Sequence, residues 1–238
     1  MSKNKIKKVF KIVWKIFYRT FLILFICSVI SVLMLKWINP VTSSIMVQRQ
    51  FSSLINLDFE FVQYQWINLD EVSDFIPIAF VAAEDQNFPA HFGFDFDQIE
   101  KAIKDSNRGK RLRGASTITQ QVAKNLFLWE GKSFVRKGVE AYFTLLIELL
   151  WSKKRILEVY INIVEMGDMI FGVGMASLIY FKRVPEKLSI SQAALLASVL
   201  PNPKSYSVKN PSAYVRGRQA WIIKQIYSLG GSSYLKDI

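Results

Sequence analysis

Two adjacent acids, Glu84 and Asp85, stand in the stretch AAEDQNFPAHFGFD, residues 82–95, beside Ala82, Ala83, Phe88, Phe92 and Phe94. Charge is costly in apolar surroundings, so a carboxylate held there is a stronger base than one in water. That suits a general base facing a sugar hydroxyl. The plain alternative is a solvated helix end capped by Asp85, and these residues alone leave both open. His91, the only histidine of the chain, reads by itself as a structural residue, and Asp95 as an N-cap.

A second constellation is GASTITQQVAKN, 114–125. On a helix Thr117, Gln121 and Lys124 stand at i, i+4 and i+7 and share a face. They present a hydroxyl, an amide and an ammonium. Free backbone N–H groups near Ser116 and Thr117 would favour an anion. Together these could hold a phosphate or pyrophosphate; a solvent-facing polar stripe explains them equally. FVRKGVEAYF, 134–143, adds Arg136, Lys137 and Glu140. Arg136 and Glu140 are i, i+4 neighbours, which a surface ion pair explains, or a cationic phosphate grip with Glu140 across a cleft from Glu84. Glu148 is a rival second carboxylate, about 80° round the helix from Glu140. Its neighbours are leucines, whereas those of Glu140 are charged, and this favours Glu140.

The elements that must position these groups read as helices. Pro77 suits a first helical turn, running to about Asp85. Asp95 with Gln98 resembles a capping box opening FDQIEKAIKD. SNRGKRLRG, 106–114, reads as a basic loop. Helices are predicted from Ser116 or Thr117 through QQVAKNLFL, over 134–151, from Lys154 to Val164, through MASLIYF, from a Ser189/Gln192 capping box through AALLASVL, and over 211–228. FEFVQYQWI, 59–67, reads as a short strand, and GDMIFGVG as a glycine-punctuated loop. The pattern is mainly α.

Apolar residues make up 51% of the chain, and its 238 residues carry a net charge of +12. Seven of the basic residues fall within residues 1–19, which hold no acid. Thr20 to Leu35 is free of charge and spans roughly 24 Å as a helix; Arg19 and Lys36 can snorkel, and Trp37 suits the interface. No small-residue cleavage site follows it. The reading is an uncleaved signal anchor with its N-terminus cytoplasmic: 1–19 basic arm, 20–37 transmembrane segment, 38–58 linker and lead-in, 59–238 catalytic domain. A basic run placed before a membrane span argues against nucleic-acid binding. A single cysteine, Cys27, excludes an intramolecular disulfide, and one His with one Cys argues against a zinc site.

The blocks EDQNFPAHFGFD (84–95), GASTITQQVAKNLFL (114–128), RKGVEA (136–141), RILEVYINIVEMG (155–167) and GMASLIYF with LSISQAALLASVLPNP (174–203) follow a familiar order. In these blocks the sequence resembles the monofunctional biosynthetic peptidoglycan glycosyltransferases and the glycosyltransferase module of class A penicillin-binding proteins, over roughly residues 60–228. The anchor and the lack of a long C-terminal domain resemble the monofunctional members.

The resemblance implies a lysozyme-like, two-lobed glycosyltransferase domain with a membrane-facing jaw. It implies polymerisation of lipid II into glycan strands with release of undecaprenyl pyrophosphate, at the bacterial inner membrane with the catalytic domain periplasmic. It assigns Glu84 as base on the acceptor 4-hydroxyl, and Glu140 to assist pyrophosphate departure directly or through a divalent cation, Mg or Mn; no cofactor is otherwise required. Its substrate contacts fall on Ser116, Thr117, Gln121, Lys124, Arg136 and Lys137, with Asp85, Phe88 and His91 shaping the first motif and Tyr160 and Asn162 supporting the cleft. Expected partners are lipid II, the growing strand, membrane lipids, and cell-wall synthesis or division proteins. Arg113 stands where many relatives have Gln, and Gly174–Met175 where many have an acid or amide. Phe127, Leu128, Trp129 and Phe134 suit either bilayer insertion from the jaw or core packing. The rival readings are a lytic, glycan-cleaving enzyme of the same shape and a non-enzymatic membrane-anchored scaffold.

Overall fold

The computed structural model describes residues 3–107, 116–131 and 133–238. Arg113 and the expected basic loop up to Gly114 fall outside the described residues, apart from the loop's first two positions, which close a helix. The chain divides into two units, Met1–Asn39 and Pro40–Ile238.

The first unit is helix α1 (Lys3–Met34). Its apolar span, Phe10–Met34, has a mean hydropathy of 2.3 and is long and apolar enough to cross a membrane. Helix thus starts well before Thr20, because Phe10, Ile12, Val13, Trp14, Ile16 and Phe17 dilute the basic residues. Its serine hydroxyls are satisfied within the helix: Ser28 Oγ donates to the Phe25 carbonyl at 2.7 Å and Ser31 Oγ to the Cys27 carbonyl at 2.8 Å. Such back-bonding removes the cost of a polar group in an apolar medium.

The second unit opens with α2 (Ser44–Ile55), where the sequence suggested a linker. Ser43 caps it, accepting from the Met46 N–H at 3.2 Å. Ile45 and Met46 are buried, while Gln48 ties the helix to the segment after α5 by donating to the Leu128 carbonyl at 3.0 Å and accepting from the Glu130 N–H at 2.8 Å. The expected strand over 59–67 shortens to β1 (Gln63–Tyr64).

Helix α3 (Phe75–Glu84) carries the apolar run IPIAFVAA. It is apolar all round, so it is buried all round: Ile76, Ile78, Ala79, Phe80, Val81 and Ala82 are inaccessible. α4 (Phe96–Asn107) starts as expected, with the Gln98 N–H on Asp95 Oδ1 at 2.9 Å. α5 (Ile118–Phe127), α6 (Phe134–Leu150) and α7 (Lys153–Ile163) follow, each opened by a capping hydroxyl from Thr117, Ser133 or Ser152. The glycine-rich loop is a hairpin, β2 (Glu165–Gly167) and β3 (Ile170–Phe171). β3 lies between β2, antiparallel, and β1, parallel.

α8 (Gly172–Phe181) starts earlier than its predicted MASLIYF core. Gly172 has φ +76°, and a Cβ there would lie 2.3 Å from the Asn162 carbonyl oxygen. A Cβ on Gly174 would come within 2.6 Å of the Gln65 carbonyl oxygen. Gly174 therefore lets α8 approach the β1 segment. α9 (Ile190–Ser198) bears the predicted Ser189/Gln192 capping box, and α10 (Ala213–Ser228) ends before Gly230. α3 packs against α9, α10 and α7, and α5 against α6 and α7. The C-terminal end of α3 thereby faces α5, α7 and α10.

Candidate active site

Glu84 is the last residue of α3. Its carboxylate is bound from two helices. Gln121 Nε2, on α5, donates to Oε2 at 3.0 Å, and Arg218 Nη2, on α10, donates to Oε1 at 2.9 Å. Gln121 is itself oriented by the Tyr160 hydroxyl, which donates to Gln121 Oε1 at 3.0 Å. Amide oxygen and nitrogen thus have distinct partners, and the NH2 group must face the carboxylate. Burial pushes the Glu84 carboxyl above its ordinary value of 4.5; Arg218 and the Gln121 hydrogen bond pull against this, and Asp85 adds to it. The Glu84 side chain keeps 16% of its area exposed, enough for a ligand atom to reach it. Burial raises the Tyr160 hydroxyl further above its ordinary range, with the Glu84 charge adding to it, so it stays a proton donor to Gln121.

Asp85 does different work from its neighbour. Its carboxylate sits 2.8 and 3.0 Å from His91 Nε2 and accepts from the Ile118 N–H at 2.9 Å. It thus pins the 85–95 segment to the start of α5 and places a negative charge at that helix's positive end. Phe88 is fully buried beneath Lys153, whose Nζ lies 4.6 Å from the ring centroid. Asp85, Phe88 and His91 therefore sit behind the site and shape it. The Asp85 carboxylate faces inward, to His91 and the Ile118 N–H, and Phe88 is 0% exposed.

Thr117 also differs from the expected shared face. It is the N-cap of α5, outside the helical repeat, and only 2% exposed. Its hydroxyl donates to the Gly93 carbonyl at 2.7 Å and accepts from the Gln120 N–H at 3.3 Å. The Thr117 and Ile118 N–H groups go to Gln120 Oε1 and Asp85 Oδ2. These N–H groups are thus taken by the chain's own acceptors rather than left free for an anion. Ser116 is exposed at the edge of the described residues.

Gln121, Lys124 and Arg136 come together on one cavity of about 530 Å³, with Trp129, Phe171, Pro201 and Pro203 among its apolar walls. Arg136 Nη1 donates to Glu140 Oε2 at 2.7 Å, and Lys137 Nζ pairs with Oε1. Glu140 is 3% exposed. Glu84 and Glu140 thus each stand one contact behind this cavity, Glu84 through Gln121 and Glu140 through Arg136. Burial lowers the Lys124 ammonium below its ordinary value of 10.5; Glu140 opposes this and Arg136 adds to it. A second negative group arriving in the cavity would reverse that shift.

Glu148, the rival carboxylate, is committed elsewhere. It accepts from Thr119 Oγ1 at 2.5 Å and Lys153 Nζ at 2.8 Å, with a side chain 3% exposed. Asn162 donates to the Ile67 and Glu158 carbonyls and accepts from the Ile67 N–H, tying α7 to the segment after β1. The 127–134 cluster splits: Leu128 is buried and Phe127 stacks on Phe143 at 4.4 Å, whereas Trp129 is 48% and Phe134 98% exposed. Arg218 was not singled out in the sequence. Its partner lies 134 positions away, and nothing in VRGRQ marks one arginine for burial.

For a divalent cation, the donor set fits poorly. Both Glu140 oxygens are held by cations, and no group of three or more His, Cys, Asp or Glu converges among the described residues.

Residues 53–227 match the family model described as Transglycosylase. The chain is 53% identical over 194 residues to a biosynthetic peptidoglycan transglycosylase of Cronobacter sakazakii, covering 81% of this chain and 80% of that one. It is likewise 53% identical over 197 residues to the protein of the same name from Escherichia coli K12, covering 82% and 81%.

Proposed function

The chain belongs to the transglycosylase family, and from that premise we propose that it polymerises lipid II into glycan strands, with Glu84 as the general base. It is a peptidoglycan glycosyltransferase with a mainly α, lysozyme-like domain and one helix suited to crossing a membrane.

The reaction forms a bond between the acceptor's 4-oxygen and the anomeric carbon of the glycosyl donor. It breaks the bond from that carbon to the lipid pyrophosphate. The hydroxyl proton passes to Glu84, and the electron pair leaves with the diphosphate. Two demands follow: a base strong enough at neutral pH, and fixed positive charge where negative charge develops on the departing diphosphate. Burial supplies the first at Glu84, while Arg218 keeps that carboxylate ionised. Lys124 and Arg136 supply the second from the cavity wall, with Lys137 beside them. A leaving group this good asks the protein mainly for orientation and charge stabilisation. Glu140 acts by holding Arg136 and Lys137 in place. Ser116, exposed beside the site, is the remaining candidate for a substrate contact.

The observation that carries the reading is the pairing of a buried carboxylate, held by Gln121, with a cationic cavity that Gln121 also lines. The basic arm supports an orientation with the N-terminus in the cytoplasm and the catalytic domain in the periplasm. Labelled lipid II tests the reaction: the protein should elongate strands and leave preformed glycan intact. Shortening of preformed glycan without elongation would instead identify a lytic enzyme.

A further inference from the structure

The cavity has a third cation that the reaction so far leaves unused. Arg49 projects from α2, with a side chain only 14% exposed. Its Nη2 lies 2.8 Å from Glu165 Oε2 and 3.2 Å from Glu130 Oε1. Its Nε is buried without a hydrogen-bond partner, and so is Glu165 Oε1. Arg49, Glu130 and Glu165 all line the same cavity as Lys124 and Arg136.

The two carboxylates on Arg49 are not equivalent. Glu165 is 11% exposed and makes the shorter contact; Glu130 is 50% exposed and makes the longer one. Burial raises the Glu165 carboxyl, and Arg49 draws it back down, so Glu165 depends on this guanidinium for its charge. Glu130 is held more loosely, by one longer contact at a half-exposed side chain. Its backbone is fixed by Gln48, while its side chain reaches both Arg49 and the electrostatic field of Lys124.

We propose that Arg49 is a further diphosphate-binding residue, and that Glu130 is the internal anion the incoming diphosphate replaces. This rests on the reading of the reaction above. A guanidinium presents several N–H donors in a plane and suits phosphate oxygens. One of these donors, Nε–H, is idle here. A half-exposed ion pair such as Arg49–Glu130 shifts an equilibrium by only about 1.5- to 5-fold. A charge-assisted bond to a phosphate is worth about 10- to 100-fold. The diphosphate therefore wins Arg49 from Glu130, while Glu165 keeps the guanidinium in place. Because Arg49 stands on α2 and Gln48 of the same helix holds the 128–130 segment, the exchange also bears on the loop between α5 and α6.

The test uses the full chain in detergent, with inorganic pyrophosphate binding by calorimetry and lipid II kinetics read in parallel. Glu130→Ala removes an exposed side chain and should tighten pyrophosphate by about threefold, lowering KM while kcat holds. Arg49→Gln should weaken it about tenfold. The double variant should behave as Arg49→Gln alone, because the benefit of removing Glu130 passes through Arg49. Arg49→Lys keeps the charge without the planar fork and should fall between. Tightening by Glu130→Ala that survives in the Arg49→Gln background, or no tightening at all, overturns the proposal while lipid II polymerisation by the unmutated chain still stands. Failure of the unmutated chain to polymerise lipid II would overturn the reaction assignment itself.

Discussion

Replacing Arg218 with methionine should move the acid limb of the activity profile to higher pH. The side chains of Arg218 and Glu84 are 19% and 16% exposed, with 2.9 Å between Nη2 and Oε1. Taking the charge centres as about 4 Å apart and an effective dielectric near 20, their gross attraction is about 4 kcal/mol. Partial exposure and the surviving Gln121 hydrogen bond reduce what is lost, and about half of that figure is a fair working value. It corresponds to roughly a 30-fold fall in the ratio of ionised to protonated Glu84. The sign follows from the base role. Burial already raises this carboxyl, and losing the cation raises it again, so the active, ionised form needs a higher pH. Methionine keeps most of the side-chain volume, which limits packing loss. The assay is kcat/KM for lipid II polymerisation across pH for the unmutated, Arg218→Met and Arg218→Lys chains, with the lysine variant expected to restore much of the profile. A uniform drop in rate with the acid limb unmoved would refute the reasoning, since Arg218 would then not act through the ionisation of Glu84.

Other perturbations separate roles that the sequence left together. Glu148→Gln strips the partner from partly buried Lys153 and should cost about 1–3 kcal/mol in unfolding free energy while kcat of the folded protein holds; Glu140→Gln should instead impair kcat, and the reverse pattern would exchange the two assignments. Asp85→Asn weakens the ties to His91 and the Ile118 N–H and should lower stability by about 1–3 kcal/mol, read by denaturant titration. Tyr160→Phe frees the Gln121 amide to turn and should reduce kcat/KM several-fold with little change in melting temperature. Acidification gives a further check on Glu84: its folded-state value lies above 4.5, so the folded state binds this proton more tightly than the unfolded chain. Its stabilising contribution is complete below 4.5 and is lost as pH rises through the raised value. Glu84→Gln should flatten that part of the stability profile.

Much of the helical frame is legible because its signals are local. The capping hydroxyls of Thr117, Ser133, Ser152 and Ser189 lie next to the helices they open, and the apolar run of α3 is continuous. α2 is missed because its buried face is short: Ile45, Met46 and Ser53 are its only buried residues. The 59–67 strand is overread because β propensity marks an extended chain, whereas pairing needs a partner edge, and β3 offers two residues. Within the site, helical spacing on α5 puts Gln121 and Lys124 on the cavity, and the packing of α6 on α5 brings Arg136 beside them. Thr117 leaves that stripe because an N-cap residue is extended rather than helical, with φ −76° and ψ 166°. Arg49 and Arg218 owe their place to contacts 116 and 134 positions away. No local pattern records such a pairing.

The most direct measurement is lipid II polymerisation by Glu84→Gln, with folding checked by thermal melting in the same preparation. Glutamine keeps the shape and can still accept a hydrogen bond from Gln121 or Arg218, but it cannot take the acceptor's proton. The account predicts a folded protein whose strand elongation is nearly abolished at every pH. Elongation at the unmutated rate would contradict it and remove Glu84 from the chemistry.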